Sequence, residues 1–236
     1  MRAKTRVLRC DAAMPCPPYY VILGAYMAKS TTNRARFKIQ RALGVELPGL
    51  GKSGALERRP YGPGVHGNKR KKISDYAVRL KEKQKLVYHY GLREKQLVTY
   101  VKQAKRDNSD MPWMELLLTN LESRLNNVVF RAGFAPSILA ASQMVSHGQV
   151  KVNGKKVDRS SYVVQKDDVI SLSDKGYANQ LYKGTQETPR MAVVPACYNI
   201  EGGDNKTAKL IDKPLPSDVP FDFEPQLVIE YYWKVK

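Results

Sequence analysis

The chain has 236 residues, 42% of them hydrophobic, and carries 40 Lys/Arg against 22 Asp/Glu for a net charge of +18. That length and apolar content supply a real core for one large domain or two small ones, and exclude a chain disordered throughout. The charge calls for a polyanionic partner, nucleic acid before an acidic membrane face; three scattered cysteines exclude a disulfide framework, and no apolar run approaches the ~20 residues of a membrane span.

The first 26 residues open basic but are broken by Asp11 and three prolines, and the apolar run Tyr19–Ala25 lacks a small-x-small cleavage site. They do not read as a secretory signal. Met27, in MAKSTTNRARF, is expected to be the true start, with an organellar presequence as the lesser alternative. Gly, Pro and cations dominate residues 27–72, so only helical turns around Arg34–Leu43 are predicted there. Ser74 is placed to cap a helix and Ile73 to staple it. Its apolar stripe is Tyr76, Ala77, Leu80, Val87 and Tyr90, and Gly91 ends it in the left-handed cap.

A second helix is predicted over 93–106 with Leu97, Tyr100, Val101 and Ala104 inward. Pro112 suits the first turn of a third, which the apolar run WMELLLTNLESRLNNVVFRAGF carries to Gly133. Ser137 caps the short helix ILAASQMVSHG. QVKV then reads as a strand, Asn153–Gly154 as a hairpin turn, KKV as the return and VISL as a further strand. Residues 120–174 are thus two helices on a small sheet. Residues 175–190 read as a polar helix or linker, and MAVVPACYNI, AKLID and QLVIEYYWKV as short strands between Pro-rich turns.

Catalytic and metal chemistry find little support. GLGKSG at 49–54 lacks the leading glycine of a phosphate loop, because Glu46 stands there, and Pro60 cuts short the helix that must follow. Cys10 and Cys16 do not have zinc spacing. His66, His89 and His147 read as a loop histidine, a helix-face histidine and an imidazole near a helix C-terminus. No catalytic residue, metal ligand or cofactor is expected.

Charge is the remaining signal. Residues 57–85 hold ten Lys/Arg against three acids, while 187–236 hold six against eight, so the tail is expected to face something other than the polyanion. The first cationic set is Arg58, Arg59, Lys69, Arg70, Lys71, Lys72, Arg79 and Lys83, beside glycines that let backbone approach a phosphate. The second is Arg124 and Arg131, seven apart on one helix face, with Lys151, Asn153, Lys155 and Lys156 at the hairpin. Such surfaces grip structured RNA through phosphates and shape.

RRPYGPGVHGNKRKKISDYAVRLKEKQK, ESRLNNVVFRAGFA, QMVSHGQVKVNGKKV, SYVVQKDDVISL and LPSDVPFDFEPQLVIEYYWK, in that order, resemble the family of protein four of the small ribosomal subunit, from about Lys29 to Lys236. The resemblance implies an α+β fold: a helical body with short C-terminal strands and an inserted small α/β RNA-binding module. The divisions it implies are an extension over 1–28, basic loop and body over 29–119, module over 120–186, and a segment over 187–236 returning to the body. It implies a non-enzymatic protein of the cytoplasmic ribosome that binds small-subunit ribosomal RNA early in assembly, at a five-way helical junction. It also implies contact with subunit protein five, an influence on decoding accuracy, and messenger RNA passing near Asn68–Lys72. Three departures stand out. The metal-binding cysteines of many members are absent from Lys29–Arg59, Ile138 and Ser142 replace two arginines, and Asn126 replaces an Asp. Asn126 also counts against the alternative, an RNA-modifying enzyme of the pseudouridine synthase type, which needs an Asp there. A membrane-surface role lacks its amphipathic helix.

Overall fold

The computed structural model describes residues 35–51, 54–69, 72–107, 109–188, 194–203 and 206–233. The expected start at Met27 lies outside them, as do Cys10, Cys16, Arg70 and Lys71. Five helices build the body: α1 (Arg36–Leu43), α2 (Ala55–Arg58), α3 (Asp75–His89), α4 (Glu94–Arg106) and α5 (Trp113–Glu122). The Ser74 side chain accepts from the Ala77 amide at 3.4 Å to start α3, and Gly91 at φ +64° ends it. Leu97, Val101 and Ala104 give α4 a buried stripe, which meets Leu86, Tyr90, Leu117 and Leu121 in one apolar core.

The buried face of α3 differs from the expected stripe. Ile73 and Tyr76 are exposed, at 53% and 60%, so no staple closes there. The C-terminal half of the helix instead buries Glu82, Lys83, Lys85, Leu86, Val87 and His89. The reason is what packs on it. QLVIEYYWKV, expected as a strand, forms helix α10 (Pro225–Tyr231), with Pro225 in its first turn and Val228 fully buried. Val228 and Tyr232 lie four apart and enter the body core together. A short run rich in Val, Ile and Tyr does not by itself distinguish the two states. Polar contacts fasten the pair: Lys85 Nζ donates to the Asp222 carbonyl at 3.2 Å, and the Glu224 amide to Glu82 Oε2 at 3.1 Å.

The long helix expected through Gly133 is two. After α5 the chain extends at Arg124 (ψ 136°), which forms a bridge with Val163, and α6 (Leu125–Arg131) begins afresh. The Val164 amide donates to the Ser123 carbonyl and the Leu125 amide to the Tyr162 carbonyl, both at 2.8 Å. Helix α7 (Ile138–Ser146) follows, capped by Ser137 at 3.2 Å from the Ala140 amide.

The sheet comprises β1 (Val150–Val152), β2 (Lys155–Lys156), β3 (Val169–Leu172), β4 (Tyr198–Glu201) and β5 (Thr207–Leu210). It is antiparallel, in the order β2-β1-β3-β5-β4. Asn153 (φ +50°) and Gly154 (φ +78°) make the left-handed two-residue turn their sequence predicts. Helices α8 (Asp174–Tyr177) and α9 (Gln180–Glu187) precede β4, so two of the five strands come from beyond residue 194. Helices α6 and α7 share one core with this sheet through Val128, Val129, Met144, Val150, Ile170 and Ala208. The fold class is α+β: ten helices with a five-stranded antiparallel sheet among the described residues.

Candidate nucleic-acid interface

The glycine-rich loop between α2 and α3 turns tightly on itself. The Gly67 amide donates to the Gly64 carbonyl and the Lys69 amide to that of His66, both at 3.2 Å. Arg58, Arg59, Lys69 and Lys72 are exposed around it, and no ion pair among the described residues occupies them. Unpaired, water-facing cations beside exposed backbone can be neutralised by phosphate oxygens. The upstream Gly49 (φ +77°) has a packing role instead: a Cβ there would stand 2.5 Å from Phe130 Cζ.

Two cations expected to contact RNA belong to the interior of the body or its surface pairs. Lys83 is a correction: its side chain is 4% exposed, its ammonium lies 2.7 Å from Glu94 Oε2 and 5.1 Å from the Tyr231 ring centroid. Arg79 is half-exposed and holds Glu230 at 2.6 Å. The acids paired with Arg79 and Lys83 thus come from outside the helix, on α10 and α4, while Lys85 pairs within it with Glu82 at 2.7 Å.

Arg131 is the second correction. It is fully buried, and its guanidinium meets the Glu122 carboxylate twice, at 3.0 and 2.6 Å. Tyr90 donates to the same carboxylate at 2.5 Å and Asn127 through its amide nitrogen. Burial is the largest influence on Arg131 and opposes its charge, but Glu122 with Tyr90 and Tyr198 together outweigh it, so the guanidinium's pKa is raised; Tyr90 is pushed well up by burial and then by Glu122. The pair is a buried bridge between the ends of two helices. Arg124 is buried as well, its guanidinium 5.4 Å from the Tyr100 ring centroid and donating to that hydroxyl. The seven-residue spacing was right for one helix, but the chain breaks at Arg124.

At the hairpin, Lys155 and Lys156 are exposed on β2 and Lys151 half-buried on β1, facing Lys156 across the ladder. No ion pair among the described residues engages these three. Asn153 is spent on structure. Its amide donates to Asp168 Oδ1 at 2.8 Å and accepts from the Val169 amide at 2.9 Å, locking the turn to β3.

One cationic face escaped the sequence reasoning. Lys95, Lys102 and Arg106 are exposed on α4, opposite its buried stripe. Their spacing of seven and then four residues was the available signal. Among the described residues no group of three or more His, Cys, Asp or Glu is placed to hold a metal, and no helix is long and apolar enough to cross a membrane.

Comparison with known proteins divides the chain where the helix breaks. Residues 32–122 match the ribosomal protein S4/S9 N-terminal domain, and residues 123–170 the S4 domain. The chain is 50% identical over 197 residues to small ribosomal subunit protein uS4B of Bdellovibrio bacteriovorus, covering 84% of this chain and 94% of that one. It is 44% identical over 199 residues to protein uS4 of Methylobacillus flagellatus and 42% identical over 198 to that of Synechococcus sp. strain RCC307. In both cases 84% of this chain and 95% of the relative are covered.

Proposed function

The chain belongs to the ribosomal protein S4 family, and from that premise we propose that it is a non-enzymatic structural constituent of the small ribosomal subunit that binds small-subunit ribosomal RNA directly and early in assembly. The observation that carries this is the pair of exposed cation sets that no ion pair engages among the described residues: Arg58, Arg59, Lys69 and Lys72 around the loop, and Lys155 and Lys156 on the hairpin. Both offer charge to a phosphate backbone, and they stand on separate elements, so a folded RNA that touches both is selected by the spacing of its phosphates. The glycine loop is also the surface proposed to border messenger RNA on its way into the subunit.

The C-terminal end carries the proposed contact with subunit protein five, and through it an influence on decoding accuracy. Trp233 is 78% exposed and borders a cleft of about 330 Å³ with Met111, Trp113 and Ile229. An exposed indole beside a cleft that also holds Lys105 and Asp107, in a segment with more acids than cations, suits protein rather than RNA. No observation favours an RNA-modifying enzyme: Asn126 is a buried amide, which is no nucleophile.

The test is binding of the purified chain to a 5′-domain fragment of small-subunit ribosomal RNA and to a large-subunit fragment of equal length. Preference for the first, with co-sedimentation on small subunits in cells, is the expected result. Equal affinity for the two, or a chain that sediments apart from ribosomal particles, overturns the proposal.

A further inference from the structure

We propose that Arg41 is a positioning residue that holds the loop Tyr61–Lys69 closed before RNA arrives. The inference rests on the RNA-binding function proposed above and deepens it, because the site it concerns is the same loop. Arg41 stands in the last turn of α1, some twenty residues upstream. Its Nε donates to the Tyr61 carbonyl and its Nη2 to the Gly62 carbonyl, each at 3.0 Å. Its guanidinium also lies 5.0 Å from the Tyr61 ring centroid. Among the described residues no carboxylate pairs with it. A cation that could have joined the phosphate-facing set is turned inward, onto two consecutive backbone carbonyls.

That geometry has a consequence for the face the loop presents. A trans peptide points its N–H opposite its C=O, so drawing the Tyr61 carbonyl toward Arg41 turns the Gly62 amide away from it. The far side of the loop is closed by contact between backbones. A Cβ on Gly67 would stand 2.0 Å from the Gly62 carbonyl oxygen, and Gly64 sits at φ +97°. Arg41 grips one end of this turn and the Gly62–Gly67 contact seals it. The spacing between Arg58 and Arg59 on one side and Lys69 on the other is then set in the free protein. Only a planar fork reaches two acceptors in one plane; a lysine ammonium is a point charge without that directional hold.

The experiment measures affinity of the full chain for the small-subunit RNA fragment over a range of salt, for wild type, Arg41→Ala, Arg41→Lys and Gly67→Ala. A positioning role predicts that Arg41→Ala weakens binding by about tenfold, since ordering a loose loop is then charged to the binding step. The slope of log affinity against log salt stays as in wild type, because no phosphate contact is removed. Arg41→Lys does not restore affinity, and Gly67→Ala reproduces the loss. In the free protein, hydrogen exchange of the Gly67 and Lys69 amides accelerates in Arg41→Ala. A slope reduced by about 0.7–0.9 in Arg41→Ala marks a direct phosphate contact and overturns the inference. Unchanged affinity, or unchanged exchange in the free variant, overturns it too. A wild-type chain that fails to bind the fragment overturns the RNA-binding function itself, and the inference with it.

Discussion

His89 lies in the body core with 2% of its surface exposed, its ring 4.9 Å from that of Tyr90 and 4.6 Å from that of Phe221. Neither ring nitrogen has a hydrogen bond of good geometry. Burial first, and then the Arg131 charge, hold its pKa well below the ordinary 6.5, against a minor upward pull from the Pro48 backbone. The imidazole is therefore neutral in the folded protein, while in the unfolded chain it takes up a proton near pH 6.5. Below that pH the unfolded state binds more protons, so this group's effect is to lower stability as pH falls from 6.5 toward the folded pKa. Above about pH 7 it contributes nothing, both states being neutral. Between pH 7.5 and 5.5 the linkage is worth on the order of 1 kcal/mol. Urea unfolding at the two pH values should show wild type losing more stability than His89→Phe by roughly that amount. Equal losses would mean that His89 is protonated in the folded state.

At the scale of elements, the Glu122–Arg131 pair joins the end of α5 to the end of α6 across the break at Arg124, with Tyr90 reaching in from the end of α3. It stands between two apolar cores, one of the body and one of the sheet. Glu122→Gln leaves the Arg131 charge buried without its partner, at an expected cost of about 3–5 kcal/mol in denaturant unfolding. Arg131→Met is costly for the converse reason. The double variant Glu122→Gln/Arg131→Met should lose less than the two single losses together, by more than about 1 kcal/mol. Additive losses would show that the pair is not what couples the helices. The same region shows what a sequence conceals. Ser74, Ser137, Gly91 and the Asn153–Gly154 turn were legible because capping and turn chemistry is local. The break at Arg124 was not, because its cause is a bridge to Val163 about forty residues on, while the apolar run continues straight through. Helix α10 was hidden for a related reason: its buried face is chosen by α3, some 140 residues earlier. Lys83 and Arg131 looked like free cations because nothing local announces that Glu94 and Glu122 will take them.

At the scale of the whole molecule, a net charge of +18 says that a polyanion is met but not where. The structure divides the candidates into cations that are free to be neutralised and cations already neutralised, and salt dependence can count the first kind. Each phosphate contact on folded RNA releases condensed counterions and steepens the fall of log affinity with log salt by about 0.7–0.9. Replacing Lys69, Arg70, Lys71 and Lys72 together with Ala should therefore flatten that slope by about 3, and replacing Lys151, Lys155 and Lys156 by about 2. If one RNA engages loop and hairpin at once, the combined variant shows the sum of the two reductions, because the described members of the two sets share no ion-pair partner. Lys83→Met supplies the contrast, since its ammonium is held by Glu94 beneath the surface. It should lower stability and leave the slope alone. A Lys83→Met slope reduced as far as that of an exposed lysine would mean that the Lys83–Glu94 pair opens when RNA binds, and that burial in the free protein is a poor guide to which cations meet phosphate.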